Sequence, residues 1–268
     1  MEILKHFEIN KENDFIIFSL KDEEWETFIN ILPSEYKDCF ISKTDLESRI
    51  KTLSSTKEKE LSEILPTEGN IKSGDFGEIL TFFLFKEIYK KQQIDGPKKW
   101  RWKQDQNMPA PYSDVILFSI KNNDKYSKDD LIISAESKMK ATKDKRRHPI
   151  QLSIDGAIRD HTSRIAKSLS WLRKKYKDEI VNENSEKDKL VQLVKNINRF
   201  IESEKPEHGE YVKKVKAIAF VEKDFLADEK VKTINVPDEA GLDLEIYIVS
   251  IKDLQKMYET VFSEIPKI

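Results

Sequence analysis

Three short stretches hold residues that can do chemistry together: GDFGEIL (74–80), SDVILF (113–118) and SAESKMK (134–140). The last follows the apolar run Leu131-Ile132-Ile133 and sets Glu136 and Lys138 two residues apart. Side chains alternate faces along a strand, so this acid and base project from one face while Ser137 projects from the other. Asp114, at the start of SDVILF, supplies a second carboxylate if the two strands pair across the intervening loop. Two hard oxygen donors at one point suit Mg²⁺, with Mn²⁺ as the alternative; water and a substrate phosphate fill the remaining positions. Such a cation acidifies a bound water and neutralises charge building on phosphorus oxygens. A lysine beside it orients the water or stabilises developing negative charge. Glu78 lies near the start of an apolar helical run, where a carboxylate is costly unless paired or metal-bound. Gly74 and Gly77 would let that helix approach a sheet closely.

An E-x-K triplet alone, in a chain with 36% charged residues, reads as a solvated strand end. Its meaning depends on the elements that position it. Residues 1–20 read as one or two short strands, with FIIFSL the strongest, and 22–32 as an amphipathic helix. A further helix over 44–64 starts from the Thr44/Asp45 cap signal. Pro66 and Gly69 within 65–73 mark a boundary, which predicts an N-terminal α+β extension (1–70) before the main domain (71–268). A helix over 74–91 follows, wide on its apolar side. Alternation then predicts three strands: 98–106 with Trp100 and Trp102, 113–120, and 130–138. Helices over 150–177 and 187–203, strands 215–222 and 244–251 and a final helix complete the chain. The order is that of an α/β fold with a mixed central sheet flanked by helices. Loops are expected at 121–130, 181–188 and 203–210.

Composition narrows the class. The chain has 268 residues, 38% of them hydrophobic, enough for a sizeable core. No run of about 18 apolar residues suggests a membrane span, and the charged N-terminus lacks a signal-peptide apolar block. One cysteine, Cys39, excludes an internal disulfide. A reducing, cytoplasmic setting is expected. The net charge of −2 is not that of a protein that coats duplex nucleic acid, so any such binding rests on a local patch or a partner.

A helix glutamate, a strand aspartate, Glu-x-Lys on the next strand and then a helix resembles the PD-(D/E)xK (restriction-endonuclease-like) nuclease superfamily. More narrowly, G-D-F-G-E-I-L, S-D-V-I-L-F and A-E-S-K resemble HamA, the nuclease family of the bacterial Hachiman anti-phage system, mainly over 74–175. The resemblance implies a metal-dependent deoxyribonuclease that works with HamB, a superfamily 2 helicase. It makes Asp114, Glu136 and Lys138 catalytic, Asp114 and Glu136 the metal ligands, and Glu78 supportive. Ser113 stands where the superfamily's name has proline, and Ser137 where an apolar residue is usual. Two alternatives share the motif: a catalytically silent nuclease-fold module docked on a helicase, and a stand-alone restriction endonuclease. RNA is also open as substrate.

Other candidates carry plainer readings. Trp100 and Trp102 alternate with Lys99, Arg101 and Lys103 and could stack bases, but same-face strand aromatics more often mark burial. The run KATKDKRRH (140–148) is the best phosphate-contact candidate, against a solvated loop. His148 and His161 read as structural. By the resemblance, Gln151, Arg159 and Arg164 open the helix on which related nucleases often place a substrate-orienting polar residue. Cys39 reads as a small core residue.

Overall fold

The computed structural model describes residues 2–123, 125–143, 148–182, 187–201, 211–230, 234–237 and 242–268. Six strands form one mixed sheet: β1 (Phe7–Glu12), β2 (Phe15–Leu20), β3 (Val115–Ser119), β4 (Leu131–Lys140), β5 (Val212–Glu222) and β6 (Leu244–Ile251). Their spatial order is β1-β2-β6-β5-β4-β3. The inner pairs β2/β6, β6/β5 and β5/β4 are parallel, and an antiparallel hairpin closes each edge. The expected α/β class with a mixed sheet and flanking helices is observed.

The central strands are buried on both faces, as parallel strands must be, and period 2 divides them. Val215, Ala217, Ala219 and Val221 face α5 (Pro149–Arg159), with Ile150 and Ile154. Ile218 and Phe220 face the opposite layer of α1 (Trp25–Phe40), α4 (Gly69–Ile88) and α9 (Leu254–Glu264). A third cluster joins Ile116, Phe118 and Ile132 to α6 (Ile165–Asn182) and α7 (Lys187–Ile201). The core of the α1, α4 and α9 layer includes residues from Ile3 to Ile265, so the first 70 residues contribute two strands and buried side chains of three helices to the common sheet and core.

Several expectations need correction. The first helix runs through Pro33 to Phe40, because burial of Leu32, Tyr36 and Cys39 outweighs the lost backbone bond. The span 44–64 is two helices, α2 (Lys43–Leu53) and α3 (Lys57–Ile64); Ser54 at φ 50° ends the first and Thr56 caps the second. Ser42, rather than Thr44, caps α2. Gly69 begins α4 instead of standing in a linker. Residues 99–102 form a 3-10 turn, not a strand, so the three-strand meander is a two-strand hairpin. Among the described residues, the edge beyond β3 carries only an isolated bridge between Asp95 and Phe118. The helix expected over 150–177 is interrupted by a π-helical turn, Asp160–Arg164. The loop expected at 203–210, and 183–186 of the loop at 181–188, lie outside the described residues. Among the described residues no helix is long and apolar enough to cross a membrane.

Gly96 secures the β3 edge. A Cβ there would stand 2.2 Å from the Ile116 carbonyl oxygen and 2.8 Å from Leu117. Gly96→Ala should therefore destabilise the fold by about 1–3 kcal/mol, read as a lower urea midpoint, with faster amide exchange in β3. Unchanged exchange in β3 would show that the edge is held elsewhere.

Candidate functional site

The register of the β3/β4 hairpin pairs Val115 with Ala135. One step further along, Asp114 stands opposite Glu136. Even-numbered residues of both strands share one face, on which Ile116 and Ile132 pack against α6 and α7, so the two carboxylates emerge on one face. Lys138, two residues on from Glu136, completes the group. Its Nζ donates to Glu136 Oε1 at 2.6 Å and to Asp114 Oδ2 at 3.4 Å. The Ser137 amide also donates to Asp114 Oδ2, at 2.9 Å, and fixes that carboxylate against the neighbouring strand.

Glu136 is 2% exposed. It fits only because Gly156 of α5 has no side chain: a Cβ there would lie 2.3 Å from Glu136 Oε1 and 2.4 Å from Cδ. Burial raises the Glu136 pKa and the charge of Asp114 raises it further, against Lys138 and Arg164. Burial alone would lower the Lys138 pKa, but Asp114 and Glu136 together hold it above its ordinary value. Lys138 is thus a firmly charged ammonium between two carboxylates.

Two further residues complete the face. Arg164 Nη2 donates to Glu136 Oε2 at 2.5 Å and to the Gly156 carbonyl at 3.1 Å. Its Nε forms an ion pair with Asp160 Oδ1 at 2.7 Å. Asp160 is fully buried, and burial lifts its pKa to about 7, with the Glu136 charge adding and Arg164 opposing. Both residues lie on the π-helical turn, a distortion frequent at functional sites. Arg164 was legible as a polar residue of the following helix. Asp160 was not a candidate, because a lone acid within a charged helical stretch carries no signal of burial.

Glu78 stands apart from this contact. It lies on α4, against the other face of the sheet, where Gly77 backs onto Ser137 at a Cβ distance of 2.9 Å. Gly74 has nothing within 4 Å, so only Gly77 serves close approach. Glu78 Oε2 accepts from the Trp100 indole at 3.1 Å and pairs with Lys99 at 3.2 Å. Lys99 in turn donates to the Ser113 carbonyl at 2.8 Å, immediately before Asp114. Burial pushes Glu78 up to about 8 against the pull of Lys99, and Asp114 adds to the rise. Glu78 therefore reaches the pair through Lys99.

The remaining candidates lie elsewhere. Trp100 is buried against Phe82, and Trp102 packs edge-on to Trp171 and Tyr176. In the basic run, residues 144–147 lie outside the described residues; Lys140 bonds Glu229 at 2.7 Å. His148 stands 3.3 Å from Glu229, and the His161 carbonyl accepts from Lys213. Gln151 bonds Asp155 and the backbone of Asn235, and Arg159 is exposed. Cys39 is buried, with its thiol pushed up to about 12 by burial.

The donor set suits a hard cation that keeps most of its water. Among the described residues no three or more His, Cys, Asp or Glu side chains gather as a ready cage. Asp114 and Glu136 instead bring oxygens from two strands to one ammonium. Mg²⁺ is commonly held by one or two carboxylates with waters and phosphate, and this pair fits that pattern.

Glu78 yields a pH test. Between the ordinary 4.5 and about 8, the folded chain keeps a proton that the unfolded chain has released. Stability must then fall as pH rises through that window. In Glu78→Gln the fall should flatten, read as melting temperature against pH. An unchanged slope would mean that Glu78 stays ionised beside Lys99.

Comparison with known proteins returns one family. No curated protein matches the chain. The HamA family model matches residues 2–265 of the 268, strands, hairpin and charged face included. The chain therefore belongs to the HamA family, and membership implies a component of Hachiman defence.

Proposed function

We propose that this chain is a divalent-metal-dependent deoxyribonuclease with a PD-(D/E)xK core, acting in the cytoplasm as the effector of Hachiman defence beside a superfamily 2 helicase. One observation carries the reading: Asp114 and Glu136, from neighbouring strands, converge on the Lys138 ammonium. Mg²⁺ held by Asp114 and Glu136 would supply an acidified water and charge neutralisation at the phosphate.

The chain's own residues do the positioning. The Ser137 amide holds Asp114, and Arg164 holds the Oε2 end of Glu136. Lys138 reaches out from the same face with its side chain 32% exposed, whereas Glu136 is sealed beneath it. The ammonium is therefore the group of this cluster best placed to meet a water or a phosphate oxygen. Its raised pKa keeps it cationic, suited to stabilising negative charge rather than to accepting a proton. Glu78 and Lys99 support the Ser113 carbonyl and so fix where Asp114 starts.

The reading is tested by incubating supercoiled plasmid and linear duplex with Mg²⁺ or Mn²⁺, with and without the helicase. Glu136→Ala and Lys138→Ala should each lower cleavage by about 100-fold or more, the scale set by losing one aligned electrostatic group. Gly156→Ala, which keeps every charge, should also lower it by displacing Glu136. Equal cleavage by the wild type and all three variants would overturn the assignment. Tight helicase binding without cleavage by any form would favour the docking module.

A further inference from the structure

An exposed aromatic lies two residues from Asp114. Tyr112 is 43% exposed and holds φ at 66°, a backbone region that costs a non-glycine residue stability and clusters at ligand-binding sites. Its ring lies 5.9 Å from that of Trp171, tilted by 53°. Trp171 packs edge-on to Trp102, with centroids 5.6 Å apart, and Trp102 is locked by donation to Glu179. Lys175 reaches over Trp171 at 6.0 Å. These rings floor a groove of about 420 Å³ rimmed by Lys174, Lys175 and Asp178. Two cations against one acid leave the rim net positive.

The groove adjoins a small cavity whose lining includes Asp114. Pro111 and Trp171 line both. Ser113 is stapled to α6: its amide and hydroxyl meet Ser168 Oγ at 3.2 and 2.8 Å. Arg164, Ser168, Trp171 and Lys175 recur at three- and four-residue spacing, so one stripe of the helical stretch runs from Glu136 to the groove. Trp171 lies about 10 Å along the axis from Arg164, at 1.5 Å per residue. A strand whose phosphate sat at Lys138 would bring a nucleotide a few positions away over Tyr112 and Trp171.

We propose that the Tyr112–Trp171 groove is a stacking platform for an unpaired nucleotide of the strand being cleaved, with Lys174 and Lys175 meeting its flanking phosphates. The proposal rests on the nuclease reading for its role. Aromatic faces accept any unpaired base, and the neighbouring lysines match the backbone charge. Paired bases in a duplex have no free face to offer, so the platform selects frayed, gapped or unwound nucleic acid.

The test uses the full-length chain carrying Lys138→Ala, the single-stranded oligonucleotide dT12 and a blunt duplex of the same length. Binding of dT12 should quench tryptophan fluorescence and be at least about 10-fold tighter than binding of the duplex. Tyr112→Gly should weaken dT12 binding by roughly 5- to 100-fold, the range of one lost stacking contact. Its fold should persist, because glycine accepts φ 66° freely, and melting temperature checks this. Lys174→Ala and Lys175→Ala should each reduce the salt slope of binding by about 1. No binding of dT12, equal binding of duplex, or Tyr112→Gly binding within twofold of its parent would overturn the platform. If the wild type cleaves DNA while Tyr112→Gly binds unchanged, the platform alone fails. If dT12 binds and quenches as expected while the wild type cleaves nothing, the nuclease reading alone fails.

Discussion

Everything at this face depends on keeping one buried carboxylate in place. Glu136 lies 2% exposed in the middle of β4, after the packed residues Ile132, Ile133 and Ala135. An unpaired carboxylate there would cost several kcal/mol. Lys138 takes one oxygen and Arg164 the other, so the group is paired on both sides. The pairing is still incomplete compensation, because the Glu136 pKa remains raised by burial and by Asp114. Acids outnumber the cations that face them, and that imbalance is what a hard cation would relieve.

Two local irregularities make the arrangement fit. The absence of a side chain at Gly156 lets α5 lie directly on Glu136. The π-helical turn after α5 then adds a residue to the turn and swings Asp160 inward while Arg164 points back to Glu136. Asp160 and Arg164 stand four residues apart on this turn, so both present to the same face. The same stretch continues as α6, whose Ser168 ties down the residue before Asp114. One helical segment thus braces both carboxylates, which stand opposite each other on the hairpin.

The sequence was legible where the signal is local. Period 2 places Glu136 and Lys138 on one face and separates Ser137 from them, and the order Asp114, loop, Glu136 implies a hairpin. Nothing local announces that β2 pairs in parallel with β6 across more than 220 residues of chain, so the first 70 residues read as an extension. The alternation of Trp100 and Trp102 mimicked a strand. A strand would keep both indoles on one face, whereas the 3-10 turn sends one to Glu78 and the other to Trp171. Glu78 was recognised as an acid that needed a partner, but the partner, Lys99, lies 21 residues away on that unrecognised turn. Asp160 is one acid within a charged helical stretch, and nothing local marks it as buried.

The distribution of cations bears on how a polyanion would be met. Lysines that look available in the sequence are engaged inside the fold: Lys99 with Glu78, Lys103 with Asp75, Lys140 with Glu229 and Lys216 with Glu245. Each is buried or nearly so, with an acidic partner within 4 Å. Long-range attraction then depends on the residual surface charge, and the chain's total is −2. Few counterions would be released on contact with duplex DNA, so non-specific affinity from phosphate neutralisation is small. Recognition by such a surface must come from short-range contacts: the Lys138 ammonium, the Lys174 and Lys175 rim and the aromatic floor between them. Those contacts act only on a strand already brought to the groove. This is why the proposed helicase partner fits the physics of the chain: it would supply the capture that the near-neutral surface does not.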